Sequence, residues 1–517
     1  MNRTDILYGV GLFLLTVLSR IPFRSRILYH WDSVNFAFAM RKFDVAAEQP
    51  QPPGYIVYVW LCRLADTLFH EPQTTMVWIA IVSSGLAIVT MYLLGRAMFD
   101  RRVGVVGAVL LLSSPLYWFY GEIALPHALD LFLVILSAWL LYEAAQGRWP
   151  YLLAAAASLA VAGGVRQQTP VFLGLLLLFS LVGFFRQARW SAGLRWTALS
   201  VVVGGLLCAG WFFPLIASAG GLDRYLQVMN DFSSRFNITT SLFMGAGSFG
   251  LTRNLRKLGM YTLYGWGIAL VPFGLWILTH LATHRDRVDW SRVLFVVAWL
   301  LPALFFYTII HMGQQGLVFV FLPALLLISS VGIVRLLETP GRKALSLGVM
   351  GMALLNALVF VASPEYPFGS GSLKVLSWDT LRNNDTYFSD RFDVIRDRFL
   401  PDSTAIVADR WRHVEWYLPE YELLPFSIIS KWELGAGSAL DTGRRQHNLT
   451  AADLGLGVNA QGETDVILFD EALTHFNASS DEARFLTLAN GATLSYLSLR
   501  PGDQLRYDPD RLGLLHP

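Results

Sequence analysis

Five short segments carry residue types suited to group transfer. The first is His30-Trp31-Asp32-Ser33. Asp32 falls just past an apolar run, among Trp31, Phe36 and Phe38, where a carboxylate is costly to desolvate unless it has a partner or a task. A carboxylate so placed suits a general base acting on a hydroxyl or amine. The structural alternative is a cap, with Asp32 or Ser33 starting a helix over Val34–Lys42, and the two roles are compatible. The second segment, Gln49-Pro50-Gln51-Pro52-Pro53-Gly54-Tyr55, reads as a rigid elbow, because proline fixes φ and glycine permits a sharp turn. Taken alone it is a plain turn.

The third segment is Tyr120-Gly121-Glu122, followed by Pro126, His127 and Asp130. Glu122 is either a second acid facing the Asp32 site or an interface carboxylate in water. His127 and Asp130 share a helix face, but two ligands are too few to argue for a metal. The fourth, Gly163-Gly164-Val165-Arg166-Gln167-Gln168, sets one cation beside two amides. That suits bidentate binding of a phosphate, against the alternative of a headgroup-snorkelling arginine. The fifth, His311-Met312-Gly313-Gln314-Gln315-Gly316, is a polar cluster with two glycines, able to approach a ligand closely or to serve as an ordinary tight loop.

These segments are placed by the elements between them. A spanning helix needs about 20 mostly apolar residues. Such runs recur near 6–22, 75–95, 103–119, 126–144, 151–165, 170–185, 197–217, 258–281, 292–310, 316–334 and 344–362. The sequence predicts about eleven spans in a polytopic α-helical membrane protein. Basic residues cluster in alternate short loops: Arg96, Arg101 and Arg102; Arg186, Arg189 and Arg195; Arg285, Arg287 and Arg292; Arg335, Arg342 and Lys343. By the positive-inside tendency these loops and the N-terminus face the cytoplasm. The five segments and everything after the last span then face outward. The N-terminal apolar run lacks a small-residue cleavage site and reads as a retained span.

The first outer loop, 23–74, carries two expected interfacial helices at 33–42 and 55–69. A second, 218–257, ends with Arg253, Arg256 and Lys257, which either break the charge rule or attract an anionic substrate. From Ser363 the composition turns soluble, with Pro364, Pro367, Gly369 and Gly371 marking a linker. Expected strands are Thr404–Ala408, Val466–Phe469 and Thr493–Leu499, and expected helices Asp390–Phe399 and Glu482–Ala489. The division is therefore a membrane domain, 1–362, and an extracytoplasmic α/β domain, 363–517. N-x-S/T patterns at Asn237, Asn384, Asn448 and Asn477 are of a kind common by chance.

With 54% hydrophobic and 15% charged residues, against about a quarter charged in soluble domains, and a mean hydropathy of +0.46, lipid is the expected solvent. A net charge of +2 gives no electrostatic case for nucleic acid. Cys62 and Cys208 lie in apolar surroundings and provide neither a disulfide framework nor a metal site. The centres of the spans are almost free of charge, Asn356 being the main polar exception. A transporter would more often place polar groups at the midplane.

Together these features resemble the GT-C superfamily of integral membrane glycosyltransferases, which includes the protein O-mannosyltransferases and the lipid A aminoarabinose transferase. In that fold the first outer loop holds an acid near its start, matched by His30-Trp31-Asp32-Ser33. Gln51-Pro52-Pro53-Gly54-Tyr55 is similar to its proline elbow, with Gln51 where a histidine is common. Glu122 fits the second acidic position, Arg166 the basic residue after the fifth span, and His311–Gly316, followed by Pro323, a further shared segment. Ser33 stands where several relatives have a second acid. That weakens the case for a divalent metal, and nothing in the sequence requires a cofactor.

The resemblance implies a polyprenyl-phosphate-linked sugar donor, a glycan, lipid or protein acceptor, and inverting hexosyl or pentosyl transfer at the outer face of the cytoplasmic membrane. It implies Asp32 as base, Glu122 as the second acid, and Arg166, His311, Gln314, Tyr55, Gln51 and Gln167 as substrate-binding residues. The alternatives are a lipid or polysaccharide flippase and a diphosphate-linked glycan ligase or polymerase.

Overall fold

The computed structural model describes residues 3–283, 289–338, 341–369, 373–426, 450, 452–473, 476–478 and 483–507. Arg285, Arg287, Gly371, Asn448 and Glu482, named above, lie outside these residues. The chain divides into two compact units. One comprises Met1–Arg26 with Ala39–Leu381, the other Ile27–Phe38 with Arg382–Pro517. The division expected at 362/363 is thus drawn at Leu381, and part of the first loop is counted with the tail.

The first unit is helical. Helix α1 (Arg3–Arg20) is followed, after a 3-10 turn, by α2 (Trp31–Arg41) and α3 (Ile56–Phe69). These last two are helices where 33–42 and 55–69 are expected to be helical. Arg63 of α3 donates to the carbonyls of Ala39 (2.8 Å) and Met40 (3.1 Å), satisfying the open C-terminal end of α2. Next comes α4 (Pro72–Met98), capped by Glu71, whose carboxylate accepts from the amides of Gln73 and Thr74. Then follow α5 (Arg101–Ser113), α6 (Pro115–Tyr120) and α7 (His127–Ala145).

The span expected over 103–119 is broken at Ser114. Pro115 has no N–H and disfavours helical backbone in the residue before it, and Ser114 sits at φ −54°, ψ 119°. Then come α8 (Trp149–Val165), the five-residue α9 (Gln168–Phe172), α10 (Gly174–Gln187) and α11 (Trp190–Ser218). The polar α12 (Leu222–Thr240) precedes α13 (Gly247–Trp266), α14 (Leu270–Thr283) and α15 (Trp290–Ile309). A 3-10 turn (Gln315–Val320) leads into α16 (Leu322–Glu338), and α17 (Arg342–Ala362) closes the series.

Among the described residues seven helical segments are long and apolar enough to cross a membrane, and α8 and α10 are shorter apolar helices. The expected count of eleven therefore does not appear as eleven full-length helices, because the runs at 103–119, 170–185 and 316–334 each include a break or a 3-10 turn. The chain is a multi-pass membrane protein. Helices α4 and α7 are mostly enclosed, whereas α1, α11 and α17 turn residues such as Leu7, Leu18, Val201, Leu206, Phe213 and Leu354 outward, as lipid contact requires. Asn356 is explained by packing: its Oδ1 accepts from the Ile268 amide at 3.0 Å, beside Gly267 at φ +62°.

The second unit pairs α18 (Trp378–Arg398), which begins just before the boundary, and α19 (Trp411–Tyr417) with a sheet. The strands are β1 (Thr404–Ala408), β2 (Glu422–Pro425), β3 (Thr464–Leu468), β4 (Phe476–Ala478), β5 (Arg484–Thr487), β6 (Thr493–Leu499) and β7 (Leu505–Tyr507). The main sheet has order β2-β1-β3-β6-β5, with β2, β1 and β3 parallel and β6 and β5 antiparallel. Both faces are covered, so β1 is buried at every position. Ile406 and Ala408 meet Phe388, Phe392 and Ile395 on one face, while Ala405 and Val407 meet Leu424, Leu454 and Leu497 on the other.

Where a helix is expected over Glu482–Ala489, residues Arg484–Thr487 form β5. The Asn490-Gly491 turn, with Gly491 at φ +81°, folds it back so that Phe485 pairs with Ser495 and Leu486 with Leu494.

His413 is buried in this unit, stacked on Phe388 at 4.3 Å, and donates from Nε2 to the Leu28 carbonyl at 2.9 Å. Burial pushes its pKa down to about 3, helped by Arg410 and His30 and opposed by the bond to Leu28. Below the ordinary value near 6.5 the unfolded chain takes up a proton that the folded unit refuses, so stability falls as pH drops, by about 1.4 kcal/mol per pH unit. At pH 5 the unit should be about 2 kcal/mol less stable than at pH 7 on this account. Urea unfolding at the two pH values should show that loss in the native chain and a smaller one in His413→Gln.

Candidate active site

In the membrane unit the proline elbow is built by side chains that hold it from both ends. Asp44 accepts from the amides of Ala46 and Ala47, and Glu48 and Tyr55 adopt left-handed backbone at φ 55° and 43°. The peptides Gln49–Pro50 and Pro52–Pro53 are cis. Gly54 is required at φ +109°, because a Cβ there would stand 2.6 Å from Leu215 Cδ1.

The elbow locks onto the Gly163–Gln168 segment. Gln167 Nε2 donates to Tyr225 Oη at 2.9 Å, and Tyr225 donates to the Pro53 carbonyl at 3.1 Å. Gln51 is buried, and among the described residues its Oε1 accepts no hydrogen bond. Gly164 makes this fit possible, since a Cβ would fall 2.2 Å from Val57 Cγ2 and 3.0 Å from Val57 Cβ. Gly164→Ala is expected to destabilise the membrane unit by about 1–3 kcal/mol through overpacking. Thermal unfolding in detergent should show a larger loss than for Gly163→Ala, where the nearest contact is 3.2 Å.

Arg166 lies in the interior, ion-paired to Asp130 (Nη1 to Oδ2, 3.3 Å) and donating to Gln168 Oε1 (3.2 Å) and Tyr307 Oη (3.3 Å). Thr169 donates to the other Asp130 oxygen at 2.6 Å. The cation is thus already matched by an anion. Asp130, Thr169 and Tyr307 are the partners that sequence reasoning missed. Asp130 was visible only as a neighbour of His127 on its own helix, and nothing local links it to a residue 36 positions later.

Glu122 is fully buried, beside the Trp118 indole. The charge that acts on it is Arg20, also fully buried, which donates to the Leu112 carbonyl at 2.8 Å and lies 4.4 Å over the Trp118 ring. The Glu122 carbonyl accepts from Ser25 N–H at 3.0 Å, and Gln73 Nε2 donates to the Ser25 carbonyl and hydroxyl, both at 2.9 Å. The Glu122 loop therefore anchors the start of the first loop.

The His311–Gly316 segment packs on the same loop. A Cβ on Gly316 would lie 2.3 Å from His127 Cδ2 and 2.8 Å from Tyr120 Cε1. Asn254 of α13 ties this segment to α12: it donates to the Thr240 carbonyl at 2.9 Å and accepts from the Met312 amide at 3.1 Å. His311 Nδ1 lies 3.1 Å from Thr240 Oγ1. Burial pushes its pKa down to about 4, helped by the charges of Lys257 and Arg253, so the ring is neutral at pH 7. Arg253, Arg256 and Lys257 share one face of α13 by their spacing, and that helix contains no acidic residue. Glu122, Arg166, Gln167, His311 and these cations thus belong to one linked set of helix ends.

Asp32 belongs to the other unit. It stands in the first turn of α2. His30 takes the capping position: its Nδ1 accepts from the Asp32 amide at 3.1 Å and its carbonyl from the Ser33 and Val34 amides. The Asp32 side chain is 22% exposed, its Oδ2 3.5 Å from His30 Nδ1.

Residues 50–212 match the family model described as dolichyl-phosphate-mannose-protein mannosyltransferase. No curated protein sequence is significantly similar to the chain. The structure of ArnT from Cupriavidus metallidurans bound to undecaprenyl phosphate superposes with a TM-score of 0.59 over 95% of this chain and 97% of that one, at 13% identity. The fold is that of the GT-C glycosyltransferases. The apo form of the same ArnT gives a TM-score of 0.57 at 14% identity, with the same shares covered. The Archaeoglobus fulgidus oligosaccharyltransferase, tethered to an acceptor peptide, gives 0.44 at 12% identity, over 89% of this chain and 69% of that one. The GT-C fold accounts for the helical membrane unit and the trailing sheet unit together.

Proposed function

We propose that this GT-C chain transfers a sugar from a polyprenyl-phosphate donor to an acceptor at the outer face of the cytoplasmic membrane, with inversion at the anomeric carbon. The observation that carries the reading is the near-full-length likeness to a protein solved with undecaprenyl phosphate. The half-buried carboxylate at the start of the first loop supports it. Asp32 takes the proton from the acceptor's hydroxyl or amine as its heteroatom attacks the anomeric carbon. The bond from that carbon to the phosphate oxygen breaks, and the electron pair leaves with the lipid phosphate.

The growing phosphate charge needs prepositioned cations. We assign this task to Arg253, Arg256 and Lys257, which share one face of α13, with neutral His311 and Gln314 as hydrogen-bonding neighbours. Arg166, Gln167, Gln51 and Tyr55 hold the elbow and the helix ends around it. Glu122 with Arg20 anchors the first loop. Inward orientation of the N-terminus and an extracytoplasmic tail are part of the same reading.

The grouping of Arg253, Arg256 and Lys257 on one helix favours as second reading a ligase or polymerase acting on a diphosphate-linked glycan. Mass spectrometry of lipid co-purifying with the protein separates the two. Polyprenyl monophosphate or its sugar ester is expected, whereas a diphosphate-linked glycan alone would favour the second reading.

A further inference from the structure

The peptide that carries Asp32 is built into the C-terminal unit. Ile27 lies in its core with Phe388, Phe392 and Ile395. The Ile27 amide donates to Asp385 Oδ1 at 3.0 Å and the Leu28 amide to Tyr417 Oη at 3.0 Å, while the Leu28 carbonyl accepts from His413 Nε2 at 2.9 Å. Trp31 meets Trp411 edge-on at 5.1 Å, and Phe38 meets Trp416 edge-on at 5.0 Å. The Arg412 guanidinium lies 4.6 Å over Trp411 and 5.5 Å over Phe38. Three hydrogen bonds thus fix two consecutive residues, and two aromatic pairs grip α2 on either side of Asp32.

Most of these groups come from one short helix, α19, which starts where parallel β1 ends. Ala408 at the end of β1 and Phe469 just after β3 share the core cluster with Ile27. The crevice outside the carboxyl ends of parallel strands is where open α/β sheets usually take a ligand. In this chain α18 and α19, packed on the sheet, hold a peptide of the first loop through bonds that span more than 350 positions.

We propose that the C-terminal unit is a positioning scaffold for Asp32, with Tyr417, His413 and Trp411 as positioning residues. This rests on the reading of Asp32 as the base. A general base acts only within hydrogen-bond reach of its proton, and a displacement of about 1 Å costs on the order of a hundredfold in rate. A loop leaving a membrane helix does not by itself hold that tolerance. The grip at residues 27, 28, 31 and 38 supplies it.

The test uses the purified full-length chain with a polyprenyl-phosphate sugar, measuring kcat and KM together with amide exchange over residues 27–33. Tyr417→Phe should speed exchange at Leu28 roughly tenfold and lower kcat roughly tenfold, with donor KM within about twofold. His413→Ala should lower kcat at least as much. His413→Gln should restore part of the loss, because its amide N–H can reach the Leu28 carbonyl. A merely structural role would reduce the folded fraction and leave kcat per folded molecule unchanged. Unchanged kcat in Tyr417→Phe and His413→Ala beside an inactive Asp32→Asn would overturn the scaffold. So would unchanged exchange over 27–33. An active Asp32→Asn would instead overturn the base, and the scaffold with it.

Discussion

Asp32→Asn should lower sugar transfer by roughly 10²–10⁴-fold while leaving the protein folded. The substitution keeps the size and hydrogen-bonding outline of the side chain and removes its ability to take a proton. His30 takes the capping position of α2, and the Asp32 carboxylate keeps contact with solvent, so an isosteric amide is accommodated there. The loss should therefore appear in kcat, with thermal unfolding of the purified variant within about 1 kcal/mol of the native chain. Asp32→Glu should be impaired as well, because the longer side chain displaces the carboxylate by about 1 Å or more.

The second large effect is on stability. Arg166→Leu should destabilise the membrane unit by about 3–5 kcal/mol, because it leaves Asp130 charged, buried and without its cation. Thr169 alone cannot replace the guanidinium. Removing both charges should cost much less, so the Arg166→Leu/Asp130→Leu double variant should recover most of the loss in a thermal-unfolding double-mutant cycle. A phosphate-binding Arg166 makes a different forecast: a raised donor KM, near-normal stability in Arg166→Leu, and no rescue by the second change.

How far the sequence reading reached differs from residue to residue. Asp32 and the elbow were legible because their signals are local: a carboxylate after an apolar run, and prolines with a glycine. The helices α2 and α3 and the strands at 404–408 and 493–499 follow from local patterning and β-branched or apolar composition. Arg166 was recognised as an isolated cation in a polar loop, but its partners Asp130 and Tyr307 are 36 and 141 positions away. Only the packing of α7 and α15 against the end of α8 reveals that its charge is matched.

Glu122 likewise gave no sign of Arg20, which lies within an apolar span. The Asp-Glu-Ala-Arg-Phe-Leu stretch has helix-forming residues, yet pairing with β6 overrides that preference at 484–487. The least legible feature was that the tail claims the first loop. It depends on three hydrogen bonds across the length of the chain, and no periodicity encodes them.

The most direct measurement is transfer by the purified protein from a defined polyprenyl-phosphate-linked sugar, with product lipid and anomeric configuration read together. The account predicts that free polyprenyl monophosphate appears in step with glycosylated acceptor, that the new linkage has the opposite anomeric configuration, and that both disappear in Asp32→Asn. Retained configuration, undiminished transfer by Asp32→Asn, or turnover only with a diphosphate-linked donor would contradict it.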